Sequence, residues 1–587
     1  MLPAFLDITK SLSNRKWLGP SDEQERRASA LIQSFGISHL TGLLLSKRNI
    51  HDDEVKSFLN PKLRNLMPDP HTLKDVQKAV DRMLEAINSR EKICIYADYD
   101  VDGTVSASML YLWFKNFQIT PEIYIPDRIK EGYGPNVPAM KAVSDRNTLI
   151  ICVDCGTVSH DAISAAVTNG ADVIVVDHHL SDDTLPPAFA IINPNRKDED
   201  GELNYLCAAG VVFFLLVAAN RSLRNNKIKP PDIVNLLDLV ALATVADVVP
   251  LIKLNRAFVT QGLKLLALRN RPGLVAIGDA AGINTKPTSF HLGYLIAPRI
   301  NAAGRLDDAK FAVKLLTGEE NSESNSIANE LNQLNDRRKL LESTALNEAV
   351  AQIENKPKND VLIWVASKNW HPGVIGIVAA RLKDQFRLPA IVFSINKDGI
   401  AVGSARSISG TDIGENIKKL LKKGYLIAGG GHKMAAGLKL NDTLLPVAMA
   451  LLETELSKTS EHISEIGNLE IDSLISTKGA TLELVEEIST VGPFGAGNPS
   501  PRVAIANCKI KYIKVLTEKH IKFTCSDSTG QKLEAIFFNG VQTPAGQRLM
   551  SKLGETFHIC GKLEINDWGG YRRVVLQVDD ISIPKII

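Results

Sequence analysis

The sequence predicts an α/β protein built as a parallel-sheet domain, a long connecting helix, a second α/β domain and a small C-terminal β-barrel. Three observations predict it. Between residues 91 and 180, short apolar runs rich in Ile and Val alternate with helix-like segments, the pattern of strands buried on both faces of a parallel sheet. From about 321 to 354 apolar residues recur at three- and four-residue steps, the period of a helix. From about 459 onward short alternating runs are separated by turn residues, which suits a small barrel of the oligonucleotide-binding (OB) kind.

Taken in order, residues 1–90 are polar and helical in pattern, broken at "NPK" and "MPDPH". In "IHDDEV" (50–55) the acids suit the first turn of a helix better than a metal site. A domain over 91–318 carries "KICIYAD" (92–98), "TLIICVD" (148–154) and "DVIVVD" (172–177) as strands, each ending in aspartate. "SASMLYLWFKNF" (106–117) and "SHDAISAAVTNG" (159–170) are the helices between them, and "PDIVNLLDLVALATVAD" (231–247) is a buried helix that also ends in aspartate. The connecting helix, 319–357, presents Ile327, Leu331, Leu334, Leu341 and Ala345 at helical spacing, and its polar remainder predicts an exposed connector ended by "ENKPKND" (354–360). The second α/β unit, 358–458, starts at "VLIWVAS" (361–367) and holds three small-residue clusters: "HPGVIG" (371–376), "GSARS" (403–407) and "GGGHKMAAG" (429–437). The remainder, 459–587, reads as all-β, from "VAIANCKIKYIKVL" to "RRVVLQVDDISI", with turns such as "STG" and "DWGG".

Composition bounds the function. A chain of 587 residues predicts three or four domains, and 44% hydrophobic residues supply several cores. The net charge is +2, but it is unevenly spread: six Lys/Arg against twelve Asp/Glu over 91–180, and thirteen against eight from 501 to the end. The acidic part suits cations and the basic part a polyanion. Seven scattered cysteines suit a reducing compartment with no disulfide framework. Cys152 and Cys155 form one C-x-x-C without the second pair or nearby histidines that zinc wants, so a buried thiol at each end of a strand is expected. No signal sequence and no run of about 18 apolar residues is found, which predicts a cytoplasmic protein.

The stretch that demands chemistry is "YADYDVDGTVSA" (96–107), an acidic loop with Asp98, Asp100 and Asp102 followed by Gly103. An EF-hand would need glutamate at position 12, which is Met109, and a helix before the loop rather than a strand. A haloacid-dehalogenase-type phosphatase would use "DVDGT" (100–104) but leaves Asp98, "VDCG" and "VDHH" without roles. The third reading uses them all. Ligands of a parallel sheet bind beyond the carboxyl ends of its strands, and the strands deliver Asp98, Asp100 and Asp102, then Asp154, then Asp177, His178 and His179 to that edge, with Asp247 arriving from a helix. So many carboxylates repel unless divalent cations sit among them. Such a set is enough for two metals roughly 4 Å apart, and imidazole among carboxylates favours Mn²⁺ or Mg²⁺.

At these residues the chain resembles the DHH phosphoesterase family, and within it the single-strand-specific 5′→3′ DNA exonucleases. "DYDVDG", "VDCG", "VDHH" and "ATVADVVPL" occur in order, followed by "APRINAAGRLDDA" (297–309), "NWHPGVIGIVAARL" (369–382), "GSARS", "GGGHKMAAG" and "PFGAGNPSP" (493–501). The resemblance runs from about residue 40 to the end. It implies a DHH catalytic domain, a DHH-associated domain and an OB-fold.

The resemblance also implies roles. Asp154 bridges two metals; Asp100, Asp102, His178 and Asp247 ligate them; Asp98 stands where other members can have histidine. Asp177 orients its neighbours and His179 faces the scissile phosphate, so Asp154, Asp177 and His179 are the catalytic candidates. Arg128, Ser404 and Arg406 match a pocket for the terminal 5′-phosphate, which suits the bidentate fork of arginine. Arg299, Asn301 and Arg305 are further substrate candidates. Gly430, Gly431 and His432 either bring backbone N–H groups to the phosphate or form a glycine turn packed on a strand. His371 is a helix cap or a substrate contact, and Tyr133 stacks on a base or simply packs. In the barrel, Lys509, Lys511, Lys514, Lys519 and Lys522, with Tyr512, Phe523, Trp568 and Tyr571, suit a single-strand groove. Taken singly, each lysine reads better as a solvated strand edge; it is the domain as a whole that is expected to bind.

The expected activity is a two-metal, single-stranded-DNA-specific 5′→3′ exonuclease releasing 5′-mononucleotides in DNA recombination and repair. The alternatives are a phosphodiesterase of short oligonucleotides or cyclic dinucleotides, and a catalytically silent single-strand-binding scaffold. By resemblance the partners are single-stranded DNA with a 5′ end, single-strand-binding protein and a RecQ-type helicase, and the protein is a monomer.

Overall fold

The computed structural model describes residues 4–128, 130–355, 361–459, 467–552, 554–567 and 571–584. Its first sheet has five strands, all parallel, in the order Glu122–Tyr124, Ile93–Ala97, Leu149–Val153, Asp172–Val176, Ala190–Ile192. Numbered along the chain that order is 2-1-3-4-5, the doubly wound arrangement, and the winding reverses between the first and third strands. The continuous apolar runs are explained by what each face meets. Ile93, Ile95, Leu149, Ile151, Ile174 and Val176 enter one core, while Cys94, Tyr96, Ile150, Cys152, Val173 and Val175 enter another. Each strand therefore needs apolar residues at every position.

The larger core contains the helices Val101–Lys115, Ala208–Asn225 and Leu237–Ala246. The first of these starts at Val101 rather than in the region of 106, so the acidic stretch is not a free loop: Asp102 lies inside the first helical turn. Cys152 and Cys155 both lie at the carboxyl end of their strand, not at opposite ends, and all seven cysteines are free and buried.

The long helix is Asn321–Glu354. It is less exposed than its polar composition suggests. Ile327, Leu331 and Leu334 join the core of the first domain, Ala345 and Ala349 join that of the second, and Leu341 is half-buried between. One helix thereby fixes two domains to each other. The second domain has a mixed sheet in the order Ala428–His432, Ala435–Asn441, Ile400–Arg406, Ala390–Ile395, Ile363–Ser367.

The C-terminal barrel closes because the long strand Val503–Leu516 pairs with both His520–Ser526 and Thr556–Asn566. It is not all-β: helices Leu482–Thr490 and Pro544–Ser551 pack on it. The N-terminal segment is also more than helical. Its strand Trp17–Leu18 pairs in parallel with Leu469–Glu470, and Leu31, Leu40 and Leu44 share the core of the barrel. Trp17 is fully buried and donates through Nε1 to Asp580 Oδ2 at 2.9 Å. Trp17→Ala is expected to destabilise the C-terminal domain by about 3–5 kcal/mol, read as a lower urea midpoint for its unfolding. Among the described residues, no helix is long and apolar enough to cross a membrane.

Candidate active site

The acidic residues cluster because the sheet ladder carries each of them one step past its strand. Asp98 N–H donates to Val153 O, Asp154 N–H to Val176 O and Asp177 N–H to Ile192 O, at 3.3, 3.0 and 3.0 Å. Asp98 and Asp154 thus flank the point where the winding reverses, the place where doubly wound sheets bind ligands.

Local chemistry then fixes each carboxylate. Asp100 is the N-cap of the Val101–Lys115 helix, and its Oδ1 accepts from Asp102 and Gly103 N–H. Gly103 is required there, since a Cβ would lie 2.5 Å from Asp98 O. Asp102 is buried and accepts from Ala208 and Ala209 N–H at 2.6 and 2.8 Å, at the N-terminus of the Ala208–Asn225 helix. The positive end of that helix stabilises its charge. Asp154 is held at a φ of +59°, a left-handed conformation that L-residues other than Asn and Asp seldom adopt. Its side chain is aimed into the cluster at the cost of local strain.

His178 Nε2 lies 3.3 Å from Asp154 Oδ1, 3.6 Å from Asp247 Oδ2 and 3.8 Å from Asp102 Oδ2. Among the described residues three sets have donor atoms all within 4.8 Å of one another: Asp98, Asp100 and Asp154; Asp102, His178 and Asp247; Asp154, His178 and His179. Asp154 belongs to two of them. Burial, reinforced by neighbouring carboxylates, raises Asp98 and Asp154 well above the usual carboxylate range and pushes Asp247 up to about 9. Asp98 Oδ1 is buried and has no hydrogen-bond partner among the described residues. An orphaned carboxylate oxygen among mutually repelling acids is what divalent cations would satisfy. The donor set, carboxylates with one or two imidazoles, fits Mn²⁺ or Mg²⁺.

His179 is positioned rather than shared. Its Nδ1 is 2.8 Å from Asp177 Oδ1, which also accepts from His178 and His179 N–H, while Asp177 Oδ2 accepts from Thr157 N–H and Oγ1–H. Burial opposes the Asp177 charge, but these bonds outweigh it and hold the carboxyl well below its ordinary range. Tyr133 donates to Asp154 O at 3.2 Å, and its hydroxyl stands 3.2 Å from His179 Nε2. This tyrosine is therefore tied into the cluster by its hydroxyl, with its ring half exposed.

A second group of side chains converges beside the acids. Arg128 lies over the Tyr99 ring at 5.0 Å, Arg305 Nη1 donates to Gly373 O at 3.1 Å, and Arg406 Nη1 donates to Ser404 Oγ at 3.1 Å. Among the described residues none of the three arginines has a carboxylate within ion-pair distance. Burial and the mutual repulsion of these cations lower Arg305 to about 10 and lower Arg406 as well. Gly376, in the first turn of the helix Ile375–Phe386, leaves the space: a Cβ there would come 3.0 Å from Ser404 Oγ and 3.2 Å from Arg406 Nη2. Unneutralised arginines beside a helix N-terminus make an anion site.

Other candidates lie elsewhere or act differently. Arg299 is buried and donates to Asn332 Oδ1 and Leu295 O, so it packs the helix rather than facing a substrate. Asn301 Oδ1 accepts from Val101 N–H at 3.1 Å and so holds the acidic turn. His371 Nδ1 accepts from Gly373 N–H, which closes the turn whose carbonyl receives Arg305. Gly430, Gly431 and His432 form an edge strand paired to Ala435–Asn441, not a free turn. In the barrel, Lys509, Lys511, Lys514 and Lys519 are exposed, and Lys522 is 3.0 Å from Glu534. Lys514 and Lys522 stand directly opposite each other on paired strands. Phe523 is fully buried, so it is barrel core and not a stacking surface, because its strand alternates in and out of the barrel. Tyr512 and Tyr571 are exposed, and Trp568 lies outside the described residues.

Family models match in the same three places: the DHH family N-terminal domain over 92–244, the DHHA1 domain over 358–458 and the RecJ OB domain over 471–580. The single-stranded-DNA-specific exonuclease RecJ of Bacillus subtilis is 34% identical, over 98% of this chain and 71% of that protein. The chain belongs to the RecJ family. RecJ of Escherichia coli is likewise 34% identical, over 87% of this chain and 90% of that one. The crystal structure of RecJ from Thermus thermophilus in complex with Mn²⁺ superposes with a TM-score of 0.80 at 26% identity, covering 97% of this chain and 80% of that one. The Mg²⁺ complex from the same organism superposes with a TM-score of 0.72 at 25% identity, covering 97% of this chain and 79% of that one. Membership in the RecJ family makes the chain a DHH-type exonuclease.

Several residues of this RecJ-family site carry no signal readable along the chain. Asn193 bridges Thr157 Oγ1 and His179 O, and Asn195 holds His178 O. Their stretch, "INPN" (192–195), looks like an ordinary turn. Arg338 of the long helix, ion-paired to Glu342, lies within electrostatic reach of Arg305. The backbone N–H groups of Ala208 and Ala209 have no side-chain signature at all.

Proposed function

We propose that this RecJ-family chain hydrolyses single-stranded DNA from its 5′ end, releasing 5′-mononucleotides, with two divalent cations, Mn²⁺ or Mg²⁺. The observation that carries the reading is the anion pocket of Arg128, Arg305, Ser404 and Arg406 placed next to the acidic cluster, with Arg128 within electrostatic reach of Asp98 on one side and of Arg305 and Arg406 on the other. A terminal phosphate seated on the arginines sets the next phosphodiester over the acids. That neighbourhood supports removal of nucleotides from the 5′ end.

Asp98, Asp100 and Asp154 would hold one cation, and Asp102, His178 and Asp247, with Asp154 shared, the other. When bound, such cations lower the pKa of a water and offset the charge of the reacting phosphate. Asp154 then supports both sites from one strained position. Asp177 fixes the His179 ring, which with the Tyr133 hydroxyl lines the place of the scissile phosphate. Asn301 and Asn193 keep the two carriers of these groups in register.

The exposed lysines of the barrel support a sequence-tolerant hold on the strand. Lys514→Ala is expected to reduce the salt dependence of binding by about one unit of slope, measured by anisotropy over a salt series. Lys522→Ala should do less, since Glu534 already offsets its charge. Cytoplasmic recombination and repair, single-strand-binding protein and a RecQ-type helicase as partners, and a monomeric state fit this activity.

The test uses a single strand labelled at its 3′ end, bearing either 5′-phosphate or 5′-hydroxyl, and a blunt duplex. Progressive 5′ shortening of the single strand in Mn²⁺ or Mg²⁺, abolished by chelator, supports the reading. Binding without degradation moves the protein to a scaffold role. Cleavage confined to a dinucleotide moves it to the short-substrate phosphodiesterases.

A further inference from the structure

The helix that crosses the site begins with two exposed aromatic rings. It runs from a π-helical stretch, His291–Ile296, directly into Ala297–Leu306. The wide turn has a cause in sequence: Pro298 lacks an N–H and crowds the carbonyl four residues before it, and a π-turn absorbs the misfit. Phe290 and Tyr294 project from this stretch, 56% and 71% exposed, with ring centroids 5.0 Å apart and ring planes 25° from parallel. Single exposed aromatics are common. Two stacked on each other at the surface leave outer ring faces on which a further ring can continue the stack.

Its place is what assigns it. Further along the same helix, Asn301 holds the acidic turn and Arg305 enters the anion pocket. At about 1.5 Å per residue, Tyr294 stands roughly 10 Å from Asn301 and roughly 16 Å from Arg305 along the axis. Gly293, next to Tyr294, lies against Val245, two residues before Asp247. On the other side, Ser289 Oγ donates to Phe494 O, at the seam with the C-terminal part of the chain. One helix thus carries the aromatic pair, the asparagine that holds the acidic turn and an arginine of the anion pocket, and near the pair it touches the segment that leads into the barrel.

We propose that Phe290 and Tyr294 form a stacking platform for unpaired bases of the strand, a few nucleotides downstream of the scissile phosphate. The platform rests on the exonuclease reading. It would take any base by its π-face and no base pair, since a paired base has both faces covered. It thereby links the barrel's electrostatic hold to the catalytic acids and adds a selection for unpaired substrate that the acids themselves lack.

The test is a coupling measurement in chelator, by anisotropy, so that it does not depend on cleavage. A 5′-phosphorylated strand carries one abasic residue, moved one position at a time from the 5′ end, and is bound to the parent chain, Tyr294→Ala, Phe290→Ala and Tyr294→Trp. The parent should lose about tenfold in affinity at one abasic position. Tyr294→Ala should bind the intact strand about tenfold more weakly and become indifferent to that position, and Tyr294→Trp should restore both affinity and position dependence. Equal loss on intact and abasic strands, or no loss in either alanine variant, overturns the platform. If the variants prove uncoupled while lowering the self-association or protein binding of the chain, the pair is a protein-docking surface instead. Failure of the parent to shorten an intact strand in Mn²⁺ would separately overturn the exonuclease reading.

Discussion

Asp154→Asn is expected to lower cleavage by about a thousandfold, the rate equivalent of roughly 4 kcal/mol, while strand binding in chelator stays within a few-fold of the parent. The substitution is chosen for the backbone. Asp154 sits at φ +59°, and asparagine tolerates that conformation where alanine would add strain. The shape survives and the charge does not. Because Asp154 shares donor distance with Asp98 and Asp100 on one side and with His178 and His179 on the other, its loss weakens both cation sites together. Calorimetric titration with Mn²⁺ should show loss of both binding events. Cleavage within about tenfold of the parent, with two intact titration steps, would count against a shared ligand.

Arg406→Ala is expected to cost about 10- to 100-fold in kcat/KM on strands with a 5′-phosphate and to leave strands with a 5′-hydroxyl nearly unchanged. The side chain is half-buried, with Arg128 as a like-charged neighbour and no carboxylate partner among the described residues. Removing it relieves repulsion among the arginines, so thermal stability should hold or rise slightly. The comparison of the two ends separates phosphate recognition from damage to the site. An equal loss on both ends would assign Arg406 a general packing role on its strand.

The aspartates of the cluster are legible along the chain, because a buried parallel strand writes itself as an unbroken apolar run and Asp98, Asp154 and Asp177 each stand at the end of one. Arg406 and Arg305 are visible only through their settings in "GSARS" and "NAAGR". Arg299, earlier on the same helix as Arg305, looks equivalent in sequence and is buried against Asn332. Rotation around the helix axis decides between them: six residues apart, they leave the same helix on different faces. Phe523 misleads for the same kind of reason: alternate positions of a strand face opposite ways, and a bulge between Ile510 and Tyr512 resets which way its partner strand points.

By itself the sequence determined the strands of the parallel sheet, the long helix, the order of the domains and the acids available to a cation. These follow from local patterning, since burial on one face or two dictates which residues are apolar. Tertiary structure alone decided the strand order that brings Asp98 beside Asp154, the helix N-terminus that receives Asp102, the joining of the N-terminal segment to the barrel through Trp17, and the convergence of Arg128, Arg305 and Arg406. Several of those contacts join residues more than a hundred positions apart, 106 for Asp102 with Ala208 and 563 for Trp17 with Asp580, and no short-range pattern records a partner that only the packed core brings near.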